Sequence, residues 1–168
     1  MIQGIDASKL QFRKLTLADD TAYFDCCDAG LNEYIWYQAI RQQLEGAAIT
    51  YLAYYDSLPV GFVSLTMSSI SIDYVTKKHL PSRTYPQFPA LMIGRLATDY
   101  EYQHQGVGKG LCEFAIAKAV EYRETIGCQF VILNAKPNSI PFYQKIGFEI
   151  CLAQPASRKN PFMYFKLP

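Results

Sequence analysis

The stretch that most limits what this chain can become is Leu91-Met-Ile-Gly-Arg-Leu-Ala-Thr-Asp-Tyr-Glu-Tyr-Gln-His-Gln-Gly-Val-Gly-Lys-Gly-Leu111. The apolar run Ala90 to Ile93, with Leu96 and Ala97, reads as a buried strand. The polar residues after it read as a loop, and Gly106, Gly108 and Gly110 open a helix. Glycine lets the chain turn tightly and lets a ligand approach the backbone N–H groups, and a helix N-terminus favours an anion. The junction is therefore suited to holding phosphate.

Spacing separates the known kinds of phosphate loop. A nucleotide triphosphatase loop needs a hydroxyl residue directly after Gly-Lys to hold magnesium, and here Gly108-Lys109 is followed by Gly110. A dinucleotide fingerprint needs a third glycine where Leu111 stands, and an acidic residue on a second strand that this chain does not supply at the required interval. What remains is the pattern Gln103-His104-Gln105-Gly106-Val107-Gly108.

Length and charge bound the setting for that loop. The chain has 168 residues, which is one domain, 1–168, with room for a real core. Half the residues are hydrophobic and 18% are charged, as in globular proteins rather than disordered ones. The formal net charge of +1 gives no global electrostatic case for a nucleic-acid or membrane partner. The absence of a long apolar run, and of a basic start or apolar block in Met1 to Asp6, leads us to expect a cytoplasmic protein. The five cysteines, Cys26, Cys27, Cys112, Cys128 and Cys151, lack Cys-x-x-Cys spacing and are expected to be reduced and mostly buried. His79 has no partner at metal-ligand spacing, so no metal site is expected.

In chain order, the alternation in Leu10 to Leu17 predicts a first strand, and Ala18-Asp19-Asp20 predicts a helix start. Asp28-Ala-Gly separates this from a second helix, Leu31 to Leu44, whose Tyr34, Trp36 and Tyr37 suit either the core or a homodimer contact, or a wall of a ligand site. Thr50 to Tyr55 and Val60 to Ile72 predict an antiparallel hairpin, and residues 73–89, with three prolines, an irregular excursion. Leu111, Cys112, Ala115, Ile116, Ala119 and Val120 form the apolar face of a helix ended by Gly127, and Gln129 to Ala135 is a second buried strand. Strand, glycine loop, helix and strand make a crossover unit, so those two strands should be parallel. A short helix over Asn138 to Lys145 and closing strands over Phe148 to Leu152 and Phe162 to Leu167 complete the chain.

After the second buried strand comes Asn138-Ser-Ile-Pro-Phe-Tyr143-Gln-Lys-Ile-Gly-Phe148. Taken with Gln103 to Gly108, this resembles the paired signature of the Gcn5-related N-acetyltransferases, the GNAT superfamily. The resemblance implies an α+β, three-layer fold: a mixed central sheet with helices on both faces, whose parallel strand pair splays apart at its C-terminal ends. It implies acetyl-CoA as co-substrate, with its pantetheine arm bonded to the backbone of Leu96, Ala97 and Thr98. The pyrophosphate would lie on Gln103, His104, Gln105, Gly106, Val107, Gly108 and Lys109, with Asn138 and Tyr143 beside the thioester. Phe24 to Asn32, Ala39, Thr50-Tyr51 and Ile93 to Ala97 are further similar to a bacterial branch that includes the GNAT toxins of toxin-antitoxin pairs, although that branch often has Val-Asp where Thr98-Asp99 stands here.

Acyl transfer to an amine needs a neutral nucleophile, a stabilised oxyanion and a proton for the departing thiolate. A tyrosine, with an ordinary pKa of about 10, is protonated at neutral pH, so Tyr143 suits the role of general acid. The backbone N–H of Leu96 or a neighbour suits the oxyanion, while Asp99, Glu33 or a water chain are the candidates for a base. Arg95, in a strand expected to be buried, needs a partner, with a structural pair favoured over a substrate contact. Lys77, Lys78, His79 and Arg83 form a small basic cluster, either a solvated surface or a tRNA phosphate contact. The leading sequence reading is an acetyltransferase acting on a primary amine of a small molecule or peptide. The alternatives are a GNAT toxin that acetylates aminoacyl-tRNA and pairs with an antitoxin protein, and a non-catalytic acyl-CoA-binding module.

Overall fold

The structure, a computed structural model, describes residues 4–81 and 85–168. In chain order the elements are β1 (Gln11–Lys14), α1 (Ala29–Glu33), α2 (Ala39–Leu44), β2 (Ile49–Tyr55), β3 (Leu58–Ser71), β4 (Gln87–Thr98), α3 (Val107–Thr125), β5 (Phe130–Asn134), α4 (Ile140–Ile146), β6 (Glu149–Ile150) and β7 (Phe162–Lys166). The strands form one sheet in the order β1-β2-β3-β4-β5-β7-β6. β4 and β5 are parallel, paired from Ala90 and Phe130 to Ile93 and Leu133, and β4 runs on to Thr98. The β1/β2, β2/β3, β5/β7 and β6/β7 pairs are antiparallel, which makes the sheet mixed, as expected.

The chain divides into two compact units, Met1–Thr66 with Gly94–Phe114 and Met67–Ile93 with Ala115–Pro168. In the first, the β2/β3 hairpin closes on Asp56 and Ser57, whose positive φ values (46° and 66°) give the two-residue turn that matches strand twist. Alternation along β2 sends Leu52 and Tyr54 into a core with Phe24, Tyr34, Ile35 and Ala39, while Tyr51 meets Phe114 of α3 at 4.9 Å between ring centres. Helices thus cover both faces of this part of the sheet. A Cβ on Gly61 would lie 2.9 Å from the Val107 side chain and 3.0 Å from the Ala97 carbonyl, so only glycine lets the start of α3 lie this close to the strands. In the second unit, β5 is buried at Phe130, Val131, Ile132 and Leu133, the continuous apolar run of a strand covered on both faces. Phe130 and Ile132 join Ile70, Phe88, Ala90, Cys151 and Tyr164 in a second core.

Several sequence expectations are corrected. No helix follows Ala18-Asp19-Asp20. The Asp19 carboxylate instead accepts from the Thr16 N–H (2.7 Å) and Oγ1 (3.0 Å), a local turn that competes with helix. The first strand covers only Gln11–Lys14 of Leu10 to Leu17, and the strand expected over Phe148 to Leu152 shrinks to Glu149–Ile150. The excursion at 73–89 is more ordered than its prolines suggest: Ile72–Tyr74 and Lys77–His79 are single 3-10 turns, and residues 87–89 already belong to β4. Between α1 and α2 the helix widens into a π-helical turn, Tyr34–Gln38, which buries Tyr34 and Ile35 and leaves Tyr37 72% exposed.

Candidate active site

β4 ends at Thr98, and Asp99 anchors the loop beyond it. Asp99 is buried; its N–H donates to the Val60 carbonyl at 2.9 Å, and its carboxylate accepts from the N–H groups of Asp25 and Glu101, each at 3.1 Å. The Tyr100 N–H donates to the Asp25 carbonyl at 2.8 Å. A carboxylate so committed to backbone donors is structural, which removes Asp99 from the candidate bases. Glu33, the other carboxylate considered for that role, is exposed and accepts from Gln38 Nε2 at 3.3 Å.

The loop is tied down by its glutamines. Gln103 Nε2 donates to the carbonyls of Cys26 (3.3 Å) and Thr98 (3.2 Å). Gln105 accepts from the Ile5 N–H at 3.0 Å and donates to the Glu101 carbonyl at 2.9 Å. Both side chains are committed to protein partners, so what this segment offers an anion is its backbone and the exposed His104 side chain. His104 and Gly106 have positive φ (60° and 90°), and a Cβ on Gly106 would lie 3.3 Å from that of Ala7. α3 then begins at Val107, and the Gly110 N–H reaches back to the Gly106 carbonyl at 3.0 Å. The N–H groups of Val107, Gly108 and Lys109 precede any intrahelical acceptor, as at every helix start. Of the glycines expected to turn the chain here, only Gly106 has a positive φ; Gly108 and Gly110 lie within α3. The Lys109 ammonium is exposed, 3.7 Å from Glu113.

Sequence reasoning missed the scaffold under Gln103. Asn32 is buried; its Oδ1 accepts the Cys26 N–H at 2.9 Å and its Nδ2 donates to Asp25 Oδ1 at 2.8 Å. Cys27 N–H donates to the same Asp25 oxygen at 2.8 Å, with Cys27 at φ 61°. The Asp25 carboxyl is held below its ordinary pKa by the Cys27 N–H and by Asn32. These residues lie within Phe24 to Asn32, so the signal was present, but it names a loop support and not a reacting group.

In the second unit, Tyr143 is buried in α4, edge-on to Phe142 (5.0 Å) and Phe148 (5.7 Å). Gly147, at φ 116°, caps the helix in the left-handed region, and the N–H groups of Gly147 and Phe148 both reach the Tyr143 carbonyl, at 3.2 and 3.1 Å. The Gly-Phe pair is thus the stop that brings the Phe148 ring against Tyr143. Asn138 is exposed in the 3-10 turn Pro137–Ser139. Leu96 to Lys109 belong to the first unit, Asn138 and Tyr143 to the second.

Arg95 corrects a further expectation. It is exposed on β4, not buried; its Nη1 donates to the Gly94 carbonyl at 2.9 Å, and no carboxylate among the described residues pairs with it. Tyr34 belongs to the core, and the Trp36 indole donates to the Phe24 carbonyl at 3.0 Å. The basic cluster is largely engaged: Lys78 pairs with Glu149 at 3.2 Å, and His79 Nδ1 meets the Tyr164 hydroxyl at 2.9 Å. Arg83 lies outside the described residues.

A family model described as an acetyltransferase (GNAT) domain matches residues 18–160. The chain belongs to this family. It is an acetyl-CoA-dependent N-acetyltransferase. It is 26% identical over 145 residues to a tRNA-acetylating toxin of Mycobacterium tuberculosis, covering 85% of this chain and 86% of the relative. Solved structures share its fold. A tyrosine-to-phenylalanine mutant of KacT matches with TM-score 0.83 at 21% identity over 95% of both chains. AtaT complexed with acetyl-methionyl-tRNAfMet matches with TM-score 0.75 at 23% identity over 94% of both chains. A mutant AtaT toxin bound to the C-terminus of the antitoxin AtaR and acetyl-CoA matches with TM-score 0.76 at 22% identity, over 95% of this chain and 94% of that one. No helix among the described residues of this acetyltransferase is long and apolar enough to cross a membrane.

Proposed function

We propose that this GNAT enzyme is a toxin that acetylates the amino group of aminoacyl-tRNA, working in the cytoplasm as a single domain, 1–168, and held in check by an antitoxin protein. The observation that carries this is the similarity to the tRNA-acetylating toxin along 85% of this chain and 86% of that one. It reverses the order reached from sequence, where a small or peptide amine stood first.

In this reading the backbone of Leu96 to Thr98 holds the pantetheine arm where the parallel ladder ends. The N–H groups of Gln103 to Lys109 hold the pyrophosphate, and Asn138 and Tyr143 serve the thioester. The acceptor nitrogen attacks the thioester carbon, and the oxyanion takes a hydrogen bond from the Leu96 N–H or a neighbour. Collapse breaks the carbon–sulfur bond, Tyr143 gives its proton to the thiolate, and the new amide loses a proton to solvent, from which Tyr143 is reprotonated. With Asp99 committed to backbone, the amine arrives neutral; an α-amino group, with a pKa of about 7.7–8.0, supplies that form near neutral pH.

The test is incubation with acetyl-CoA and total charged tRNA, followed by mass analysis of the released aminoacyl-adenosine. Acetylated aminoacyl-adenosine, with growth arrest on expression, is the expected result. The net charge of +1 favours a small or peptide amine instead. Acetylation of a polyamine or peptide N-terminus with charged tRNA untouched would establish that reading.

A further inference from the structure

We infer that a pocket on the sheet face opposite α4 seats an uncharged, apolar side chain of the aminoacyl group, and so decides which charged tRNAs are acetylated. The inference rests on the aminoacyl-tRNA reading above.

The two faces of the second unit are set by β7. Phe165 lies on the α4 face, with its ring centre 5.5 Å from that of Phe148 and its edge where a Cβ on Gly147 would fall. Alternation puts Phe162 and Tyr164 on the other face, with Ile132, which pairs with Tyr164, and Met92, which pairs with Ile132. There Ile70, Tyr74, Met92, Ile132, Cys151 and Phe162 line a pocket of about 130 Å³. Met92 and Ile132 are the last pair but one of the parallel ladder.

Chemistry and size narrow the occupant. Among the described residues no charged side chain lines this pocket, and its polar side-chain groups are the hydroxyls of Ser68, Ser69, Ser71 and Tyr74 and the buried Cys151 thiol. Burial pushes the Cys151 thiol up to about 12, so it is a neutral wall and not a nucleophile. A carboxylate or ammonium would lose its hydration here with no counter-charge among the described lining residues to replace it. An apolar cavity of about 150 Å³ accepts a benzene ring, so 130 Å³ suits a side chain of the size of methionine, leucine or isoleucine. In an aminoacyl ester the side chain and the attacking amine share one carbon, so a pocket beside the end of the ladder lies where such a side chain must go.

The test compares kcat/KM for methionyl-, leucyl- and isoleucyl-tRNA with glycyl-, aspartyl- and lysyl-tRNA. A tenfold or greater preference for the first group is expected, since hydrophobic pockets discriminate by about 10–200-fold per methylene-sized difference. Equal rates across the panel would overturn the inference while leaving the aminoacyl-tRNA reading intact. If no charged tRNA reacts while another amine does, it is that reading which fails, and the pocket assignment falls with it. Met92→Trp should fill the pocket and erase most of the preference with acetyl-CoA affinity unchanged. Met92→Ala, which cannot overpack the core, should raise the relative rate for phenylalanyl-tRNA. A preference that neither variant alters would also overturn the assignment.

Discussion

The guanidinium carbon of Arg95 stands 5.2 Å from the centre of the Tyr34 ring. The ring is 1% exposed, stacks on Phe62 at 5.9 Å, and is pinned through its hydroxyl to Ser64 (3.0 Å) and Thr50 (3.2 Å). An exposed cation on a sheet strand is therefore held over a buried aromatic face, with most of its N–H donors turned to solvent. If the acceptor is charged tRNA, Arg95→Gln should raise its KM by about tenfold and reduce the salt slope of binding by about 1, without changing acetylation of a small amine. Tyr34→Phe should cost about 1–2 kcal/mol in denaturant unfolding, because Ser64 and Thr50 lose a buried partner.

Asp99 gives a sharp contrast between anchor and base. Asp99→Ala orphans the Asp25 and Glu101 N–H groups, and the expected cost is about 1–3 kcal/mol of stability together with weaker acetyl-CoA binding. The shape of the pH–rate profile should not change. Disappearance of its acidic limb in the variant would restore Asp99 as a base.

Acid should loosen the first unit at Asp19. Burial raises the pKa of this carboxyl, but the Tyr54 hydroxyl at 2.6 Å, the two Thr16 donors and Arg13 at 2.8 Å outweigh it and hold the group below its ordinary 3.8. A carboxyl with a depressed folded-state pKa contributes stability above the unfolded value and loses it as pH falls through the folded value. Unfolding midpoints should therefore drop as pH is taken below about 3.8, and Asp19→Asn should show a smaller drop over the same range.

Gly106 tests the phosphate loop. Its φ of 90° strains any side chain, and a Cβ would press on Ala7 at 3.3 Å. Gly106→Ala is expected to cost about 1–2 kcal/mol. Calorimetry should show acetyl-CoA affinity lowered by at least about tenfold, since the shifted backbone no longer presents its N–H groups.

Much of the fold was legible because its signals are local. The apolar runs of β4 and β5, the turn at Asp56, and the left-handed glycines at 106, 127 and 147 each depend on a few neighbouring residues. What was misread depended on distant partners. Asp19 looks like a helix start until Thr16, Tyr54 and Arg13 are seen to share its carboxylate, and Arg95 looks buried because the strand sequence around it is apolar, whereas the folded strand exposes it. Gln103 and Gln105 were identified as loop residues, but their side chains turn inward to Cys26, Thr98, Ile5 and Glu101, contacts that only the folded chain displays.

Tyr143 carries the last prediction. The helix stop at Gly147 and the rings of Phe142 and Phe148 hold the Tyr143 ring between aromatic edges. Tyr143→Phe should bind acetyl-CoA with unchanged affinity. Loss of a general acid typically lowers turnover by about 10²–10⁴-fold. The pH dependence separates an acid from a packing residue. The wild-type rate should rise with pH as the acceptor amine loses its proton and fall again once the hydroxyl that donates to the thiolate ionises. In the variant the rising limb should persist and the falling limb should vanish, because no hydroxyl remains to ionise. A variant that keeps full turnover with the same two-limbed profile would transfer the proton-donor role away from Tyr143.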